Sequence, residues 1–264
     1  MSSTPTHGAP TAAPNEAPEM LEGWRVLHTT WRRDRAVPAS VAAPFLADAA
    51  TTGVYRVLGH KADLLVIAYA RTAADLLELH ARQQAVAARA GLVPVSSFVS
   101  VVEASLYEAT GVAHAVLARR GLAPRSPEWT AAFEAEMATQ RELLQERVWR
   151  PLPDQEWVCY YPMSKRRSET FNWYALPLDD RRKAMRGHGQ IGARFAGQVV
   201  QVISGATGLD DWEWAVDLHA ADPLVFKHLV TAMRFDEASS RYAEFGEFLI
   251  AARLTPARWA DLRA

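Results

Sequence analysis

One order of elements runs through this chain twice, and few folds accommodate that. "GWRVLHTTWRRD" (23–34) is rich in β-formers and reads as a strand. "PASVAAPFLADAATTG" (38–53) opens on proline and closes on glycine, as a helix does. "VYRVLG" and "DLLVIAYA", joined by "HKA", read as a hairpin. "TAADLLELHARQQAVAARAG" has a threonine cap, apolar residues at helical spacing and a terminal glycine. "VPVSSFVSVVEASLY" returns to strand. This order, β-α-β-β-α-β, is a ferredoxin-like unit. A helical stretch, "SPEWTAAFEAEMATQRELLQERVW", follows and is stopped by "RPLPD". Then the order recurs: strand 156–166, helix 176–189, hairpin 199–220, helix 222–242 and a strand in "FGEFLIAARL". The halves share local spelling, "ARTAADLLELHARQ" against "LHAADPLVFKHLVTAMR". The expected fold class is α+β: duplicated ferredoxin-like units whose sheets pack or close into a barrel-like body. The expected division is a disordered tail (1–21), an N-terminal half (22–108), a helical connection (109–155) and a C-terminal half (156–264).

Length and composition fit such a body. The chain has 264 residues, 49% of them hydrophobic, enough for a sizeable core. Its formal charge of −1 lacks the basic excess of a nucleic-acid binder. A single cysteine, Cys159, rules out an intrachain disulfide and a cysteine-based zinc or iron–sulfur site. The opening residues carry neither a basic nor an apolar signal region, and no apolar run approaches the roughly 18 residues of a membrane span. A soluble, cytoplasmic protein is expected.

Two stretches carry chemistry. "GHGQIG" (187–192) spells the G-x-G-x-x-G of a dinucleotide site, with Asp210 and Asp211 further on. Its context is wrong. The fingerprint needs a strand before it and a helix starting within it. Here a polar helical stretch precedes it and a strand follows. That leaves His188 to explain. It fits a helix C-terminal cation capped by Gly189. It also fits an axial ligand to a flat cofactor, since flanking glycines let a macrocycle approach the backbone. Haem iron takes a single imidazole on one face, whereas zinc requires partners absent here. The second stretch is "YYPMSKRR" (160–167). On a strand, Tyr161, Met163 and Lys165 share one face and Tyr160 turns away. Pro162 points to an edge strand. Phenol, thioether and ammonium on one face suit a cofactor wall, and equally an ordinary strand with a solvated basic end.

Together, "YYPMSKRR", "NWYALPLDDRRKAMRGHGQIGARFAGQVVQ", "GLDDWEWAV" and "MRFDEASSRYAEFGEF" resemble the coproheme decarboxylase branch of the chlorite dismutase superfamily. The resemblance is dense over about 156–250 and looser before that. It implies a dimeric α+β barrel subunit, usually in a homopentamer. The implied reaction converts iron-coproporphyrin III (coproheme), both substrate and redox cofactor, to haem b. Two propionates are oxidatively decarboxylated to vinyls with hydrogen peroxide as oxidant. By motif position the resemblance makes His188 the axial iron ligand and Tyr161 the radical-forming catalytic tyrosine. Gln201 becomes the residue facing the open iron site. Arg147, Pro162, Met163, Ser164, Lys165 and Ser239 become substrate-binding residues, with Arg234 near the pocket. Arg and Lys suit a substrate with four carboxylates. An acceptor for the His188 ring is expected, and Glu237 is the candidate. Transient contact with the preceding ferrochelatase is a further expectation. Chlorite dismutase or haem peroxidase activity is the alternative within the fold, although chlorite-degrading members carry an arginine at the position of Gln201. A non-catalytic haem carrier or sensor is the alternative outside it.

Overall fold

The computed structural model describes residues 20–33 and 51–255. Of the expected tail (1–21), residues 1–19 lie outside them, as do most of the expected helix 38–53 and the C-terminus from 256, while Met20 and Leu21 belong to a strand and not to the tail. The described elements are β1 (Met20–Arg33), β2 (Thr52–Val57), β3 (Leu64–Ala70), α1 (Ala73–Ala90), β4 (Leu92–Ser105), α2 (Tyr107–Arg119), α3 (Pro127–Val148), β5 (Trp157–Lys165), α4 (Leu178–Ala193), β6 (Val200–Gly205), β7 (Trp214–Ala220), α5 (Leu224–Met233), α6 (Glu237–Ser240), β8 (Ala243–Phe245) and β9 (Leu249–Arg253).

The sheet carries the duplication. Strands of the first half lie in the order β4-β1-β3-β2, and those of the second in the order β6-β7-β5-β9. These are the same arrangement. The halves join where β2 pairs with β9 and β4 with β6, both antiparallel. Because β7 pairs with β5 as well as β6, the hydrogen-bonded order closes on itself. Strand β8 extends the ladder beside β5.

Period-2 alternation on a closed ladder separates inside from outside. On β3, Leu65, Ile67 and Tyr69 join a buried cluster with Val26, Tyr55, Phe98, Tyr160 and Leu249. The alternate residues Leu64 and Val66 pack outward on Val86, Ala87 and Ala90 of α1. On β5, Tyr160 turns inward, while Cys159 and Tyr161 face outward with Phe226, Leu229 and Met233 of α5. Helix α1 ends as its sequence promised. Thr72 Oγ1 accepts from the Asp75 amide at 3.1 Å, the Thr72 amide donates to Asp75 Oδ2 at 3.2 Å, and Gly91 stops the helix at φ 68°.

The inside is not wholly apolar. His28 of β1 and Asp217 of β7 form a buried pair, Nε2 to Oδ2 at 2.9 Å, each 1% exposed. Tyr160 stacks on the His28 ring with centroids 4.4 Å apart. This pair links the first half to the second across the interior.

Four expectations are corrected. Thr52 and Gly53 open β2 instead of ending a helix. The helix expected to stop at Gly189 continues to Ala193; the nearest left-handed glycine is Gly197, at φ 78°. Hence His188 is not at a helix end, and G-x-G-x-x-G is a helical segment, not a phosphate loop. Asp210 is likewise occupied, its Oδ2 accepting from the Val99 amide at 2.9 Å. The helix expected over 222–242 is two helices broken at residues 234–236. Finally, Pro162 is not on an edge strand, since β5 has neighbours on both sides. Its missing donor falls where the ladder changes from β9 to β8, and its carbonyl accepts there from the Gly246 amide at 2.8 Å.

Removing one member of a buried hydrogen-bonded pair strands the other. Asp217→Ala is expected to lower the unfolding free energy by about 3 kcal/mol. Thr72→Ala, which removes a cap, should cost about 1 kcal/mol. Urea unfolding of both variants checks the ranking.

Candidate functional site

Helix α4 starts after Pro177 with Asp179 and Asp180 in its first turn, where the helix dipole favours anions. Ten residues beyond Leu178 it carries His188. What fixes the ring is the break between α5 and α6. Asp236 caps α6, its Oδ1 accepting from the Ser239 amide at 2.8 Å. Its Oδ2 accepts from His188 Nδ1 at 2.9 Å. The same oxygen accepts from Ser239 Oγ at 3.1 Å, and that hydroxyl lies 3.4 Å from His188 Nδ1. With Nδ1–H held by a carboxylate, the Nε2 lone pair is left for a metal or proton. The ring side chain is 26% exposed and the carboxylate 4%. The acid is rigid while the imidazole remains reachable.

The expected acceptor Glu237 is replaced in this role by its neighbour Asp236. Glu237 instead pairs with Arg241 at 3.5 Å, one helical turn on. Asp followed three residues later by Ser at a helix start was the available sequence signal, obscured by reading 222–242 as continuous. Ser239, expected at the substrate, lies in this histidine–carboxylate network.

Strand β5 supplies the second group. Tyr161 is 5% exposed and stacks on Phe248 at 4.3 Å, 19° from parallel. Burial pushes its phenol well above the ordinary value, with Arg234 opposing. The Arg234 guanidinium lies over Phe245 at 4.0 Å, and Phe245 is 5.9 Å from Tyr161. Met163 packs on the same outward cluster. Lys165 reaches α6, its Nζ donating to Ala238 O at 3.0 Å and lying 4.3 Å from the Trp173 ring centre. Burial pulls its ammonium down to about 8, against the attraction of Asp236 and Glu213. The lysine thereby ties the tyrosine strand to the segment that holds His188. Ser164 is committed elsewhere, its Oγ accepting from the Glu213 amide at 3.2 Å.

Strand β6 supplies the third. Gln201 is opposite Leu218 of β7, which is itself opposite Cys159 of β5. Gln201 and Tyr161 therefore share the outward face, roughly 12 Å apart by two strand spacings and two residues of rise. Val216 and Leu218 of this face belong to the buried cluster against which Ile203 of β6 and Ile191 of α4, one turn from His188, also pack. Arg147, in the last turn of α3, lines a cleft with Gln201 and Arg150. So the structure assembles His188 with Ser239, Tyr161 with Met163 and Arg234, and Gln201 with Arg147, on or beside one apolar sheet face.

These residues fit an iron porphyrin bearing carboxylates. A neutral nitrogen ligand with an anchored ring, an apolar wall and cations at its margins are what such a group requires. A family model described as chlorite dismutase matches residues 33–254. The chain belongs to the chlorite dismutase family. It is 35% identical to a coproheme decarboxylase of Staphylococcus saprophyticus, covering 94% of this chain and 99% of that protein. It is 38% identical to a coproheme decarboxylase of Thermus thermophilus, over 89% of this chain and 92% of that one. A solved structure described as a novel haem-binding protein from Thermus thermophilus superposes with a TM-score of 0.76 at 37% identity, covering 96% of this chain and 99% of that one. No helix among the described residues of this family member is long and apolar enough to cross a membrane.

The Asp236 contact fixes a tautomer, which nitrogen-detected NMR of the ligand-free protein can read. His188 should appear as the Nδ1–H form. Asp236→Ala should turn it into a mixture with the Nε2–H form and cost about 1 kcal/mol through loss of the α6 cap.

Proposed function

We propose that this protein is a coproheme decarboxylase, converting iron-coproporphyrin III to haem b with hydrogen peroxide. The observation that carries the reading is His188: its Nδ1 is tied to Asp236 and its Nε2 has no partner among the described residues, on a helix packed against α5 and α6 beside the sheet surface that bears Tyr161 and Gln201. The names of the relatives agree with it. In this reading His188 Nε2 holds the iron. Arg147, Lys165 and Arg234 pair with propionates, with Met163 and Ser239 shaping the pocket; Pro162 and Ser164, which alternate to the inward face of β5, support the strand instead of touching substrate. The bound iron supplies the redox chemistry. Each propionate carboxylate loses carbon dioxide, one proton and two electrons, giving a vinyl. One peroxide takes up those two electrons with that proton and one from solvent and becomes two waters.

Tyr161 transfers the electrons one at a time. Its phenol stays protonated at neutral pH because burial raises it, so an electron leaves together with a proton. The stacked Phe248 ring excludes water from one side of it. Gln201, neutral and able both to donate and to accept, suits a site that binds peroxide. A glutamine where chlorite-degrading members carry arginine disfavours that alternative. A carrier would have no use for an oxidisable Tyr161. Assembly as a homopentamer of dimeric α+β barrel subunits, a cytoplasmic location and receipt of substrate from the ferrochelatase belong to the same proposal.

Titration of ligand-free protein with coproheme, then peroxide, followed by absorbance and mass spectrometry, tests the reading. Two successive losses of a carboxyl group are expected. Tyr161→Phe should bind coproheme with wild-type affinity and decarboxylate it at least 100-fold more slowly. Wild-type turnover by that variant would sink the mechanism, and failure of the native protein to bind would sink the function.

Lys165 gives a pH signature. Its folded value of about 8 lies below the ordinary 10.5, so it is largely neutral at pH 9 and charged at pH 6.5. A propionate beside it restores the charged form. Coproheme binding should therefore take up close to one proton at pH 9 and none through this group at pH 6.5. Calorimetry in two buffers of different ionisation enthalpy reads this, and Lys165→Met should abolish the uptake.

A further inference from the structure

The inside of the closed ladder carries polar groups that the proposed reaction does not use. His28 Nδ1, the Tyr69 hydroxyl and both ring nitrogens of His219 have no hydrogen-bond partner among the described residues. These side chains are 1%, 3% and 0% exposed. All three face the interior of the ladder, where His219 and Tyr69 each border a separate cavity. His28 is held by Asp217, two residues before His219 on the inward face of β7. His219 lies 6.3 Å from the Tyr55 ring. The Tyr69 phenol is raised first by burial and then by the charge of Asp217 and by Tyr55. Buried polar atoms in proteins are satisfied, and where no side chain does so, water does.

These two cavities open at different places on the wall and share Val200. At one end of the ladder a cavity of about 330 Å³ is lined by Gln155, Gln198, Val200, His219, Asp222 and His228. The second cavity lies at a gap in the wall. Strand β6 pairs with β7 along its whole length, but with β4 only at Ser204 and Gly205. On that side residues 200–203 have no strand partner among the described residues. A cleft of about 40 Å³ opens there, lined by Tyr69, Val200, Gln201 and Arg147. That volume holds a few waters and excludes a porphyrin. Inward-facing Tyr69 meets Gln201 at this second cavity.

We propose that the interior is a hydrated passage carrying water-sized polar solutes, hydrogen peroxide among them, from the His219 cavity through the β4–β6 gap to Gln201. The proposal rests on the placing of Gln201 beside the iron under the reading above. The His219 imidazole and the Tyr69 phenol suit such a lining, because each can donate and accept a hydrogen bond. Burial pulls His219 down to about 4, which keeps it neutral at physiological pH. Large substrate and small oxidant would then enter by different routes, so bound porphyrin does not obstruct peroxide.

A crystal structure of the ligand-free protein at high resolution decides whether the passage is wet. Ordered waters hydrogen-bonded to His219, Tyr69 and His28 and continuing to Gln201 are expected. A dry interior overturns the passage whether or not the protein turns over coproheme. Two variants test transport. Val200→Trp plugs both cavities, and His219→Leu removes the polar lining. Each should slow the second-order reaction of bound coproheme with peroxide about tenfold and leave the affinity for coproheme unchanged. An unaltered peroxide rate in both, with coproheme bound normally, means that peroxide enters elsewhere and overturns the proposal. If coproheme does not bind even the native protein, the functional reading fails and the water chain alone decides the passage.

Discussion

The double pairing of β7 is the constraint on which the rest of the molecule depends. A strand hydrogen-bonded to β5 on one side and β6 on the other closes the ladder. Closure leaves each strand residue two choices, inward or outward, alternating along the chain. On β7 this sorts Val216, Leu218 and Ala220 to the helix-covered face, and Ala215, Asp217 and His219 to the interior. A slip of one residue would place the Asp217 carboxylate in the apolar layer under α5 and turn Leu218 inward. Register is thus enforced from both sides, by apolar packing outside and by the His28–Asp217 hydrogen bond within.

The outer face depends in turn on a single carboxylate. Asp236 ends the gap between α5 and α6, caps the short helix and orients His188, so helix geometry and ring orientation rise or fall together. Lys165 closes the circuit from the strand side by donating to the carbonyl of Ala238, two residues beyond Asp236. A buried ammonium is costly, and this one is tolerated through that carbonyl, the Trp173 face and two nearby carboxylates.

Much of this was legible in the sequence, because the duplicated order and the two periodicities are local signals. Alternation placed Tyr161 and Met163 on one face and Tyr160 on the other, and the structure agrees. What was not legible depends on tertiary partners. Glycine at 187 and 189 suggests a helix end, yet α4 runs through both since its backbone stays right-handed. Choosing Asp236 over Glu237 required knowing that the helix breaks at 234–236. Pro162 suggested an edge because sequence does not reveal a ladder that changes partner beside it. The polar interior left no signal at all: "VDLHA" alternates like any half-buried strand, and the inside is distinguishable only once the ring is closed.

The glycines around His188 have a consequence of their own. A Cβ at Gly187 or Gly189 would meet no atom within 4 Å, so the packing of the chain does not demand glycine at either position. Alanine would suit a helix interior better by about 1 kcal/mol each. Helix α4 forgoes that stiffness and gains a bare strip of main chain on either side of the imidazole. A flat ring brought up to Nε2 meets no shoulder of side chains and can lie flush along the helix. The histidine is thus presented as on an unfenced ledge, and a broad, rigid partner can reach it where a walled pocket would admit only a small one.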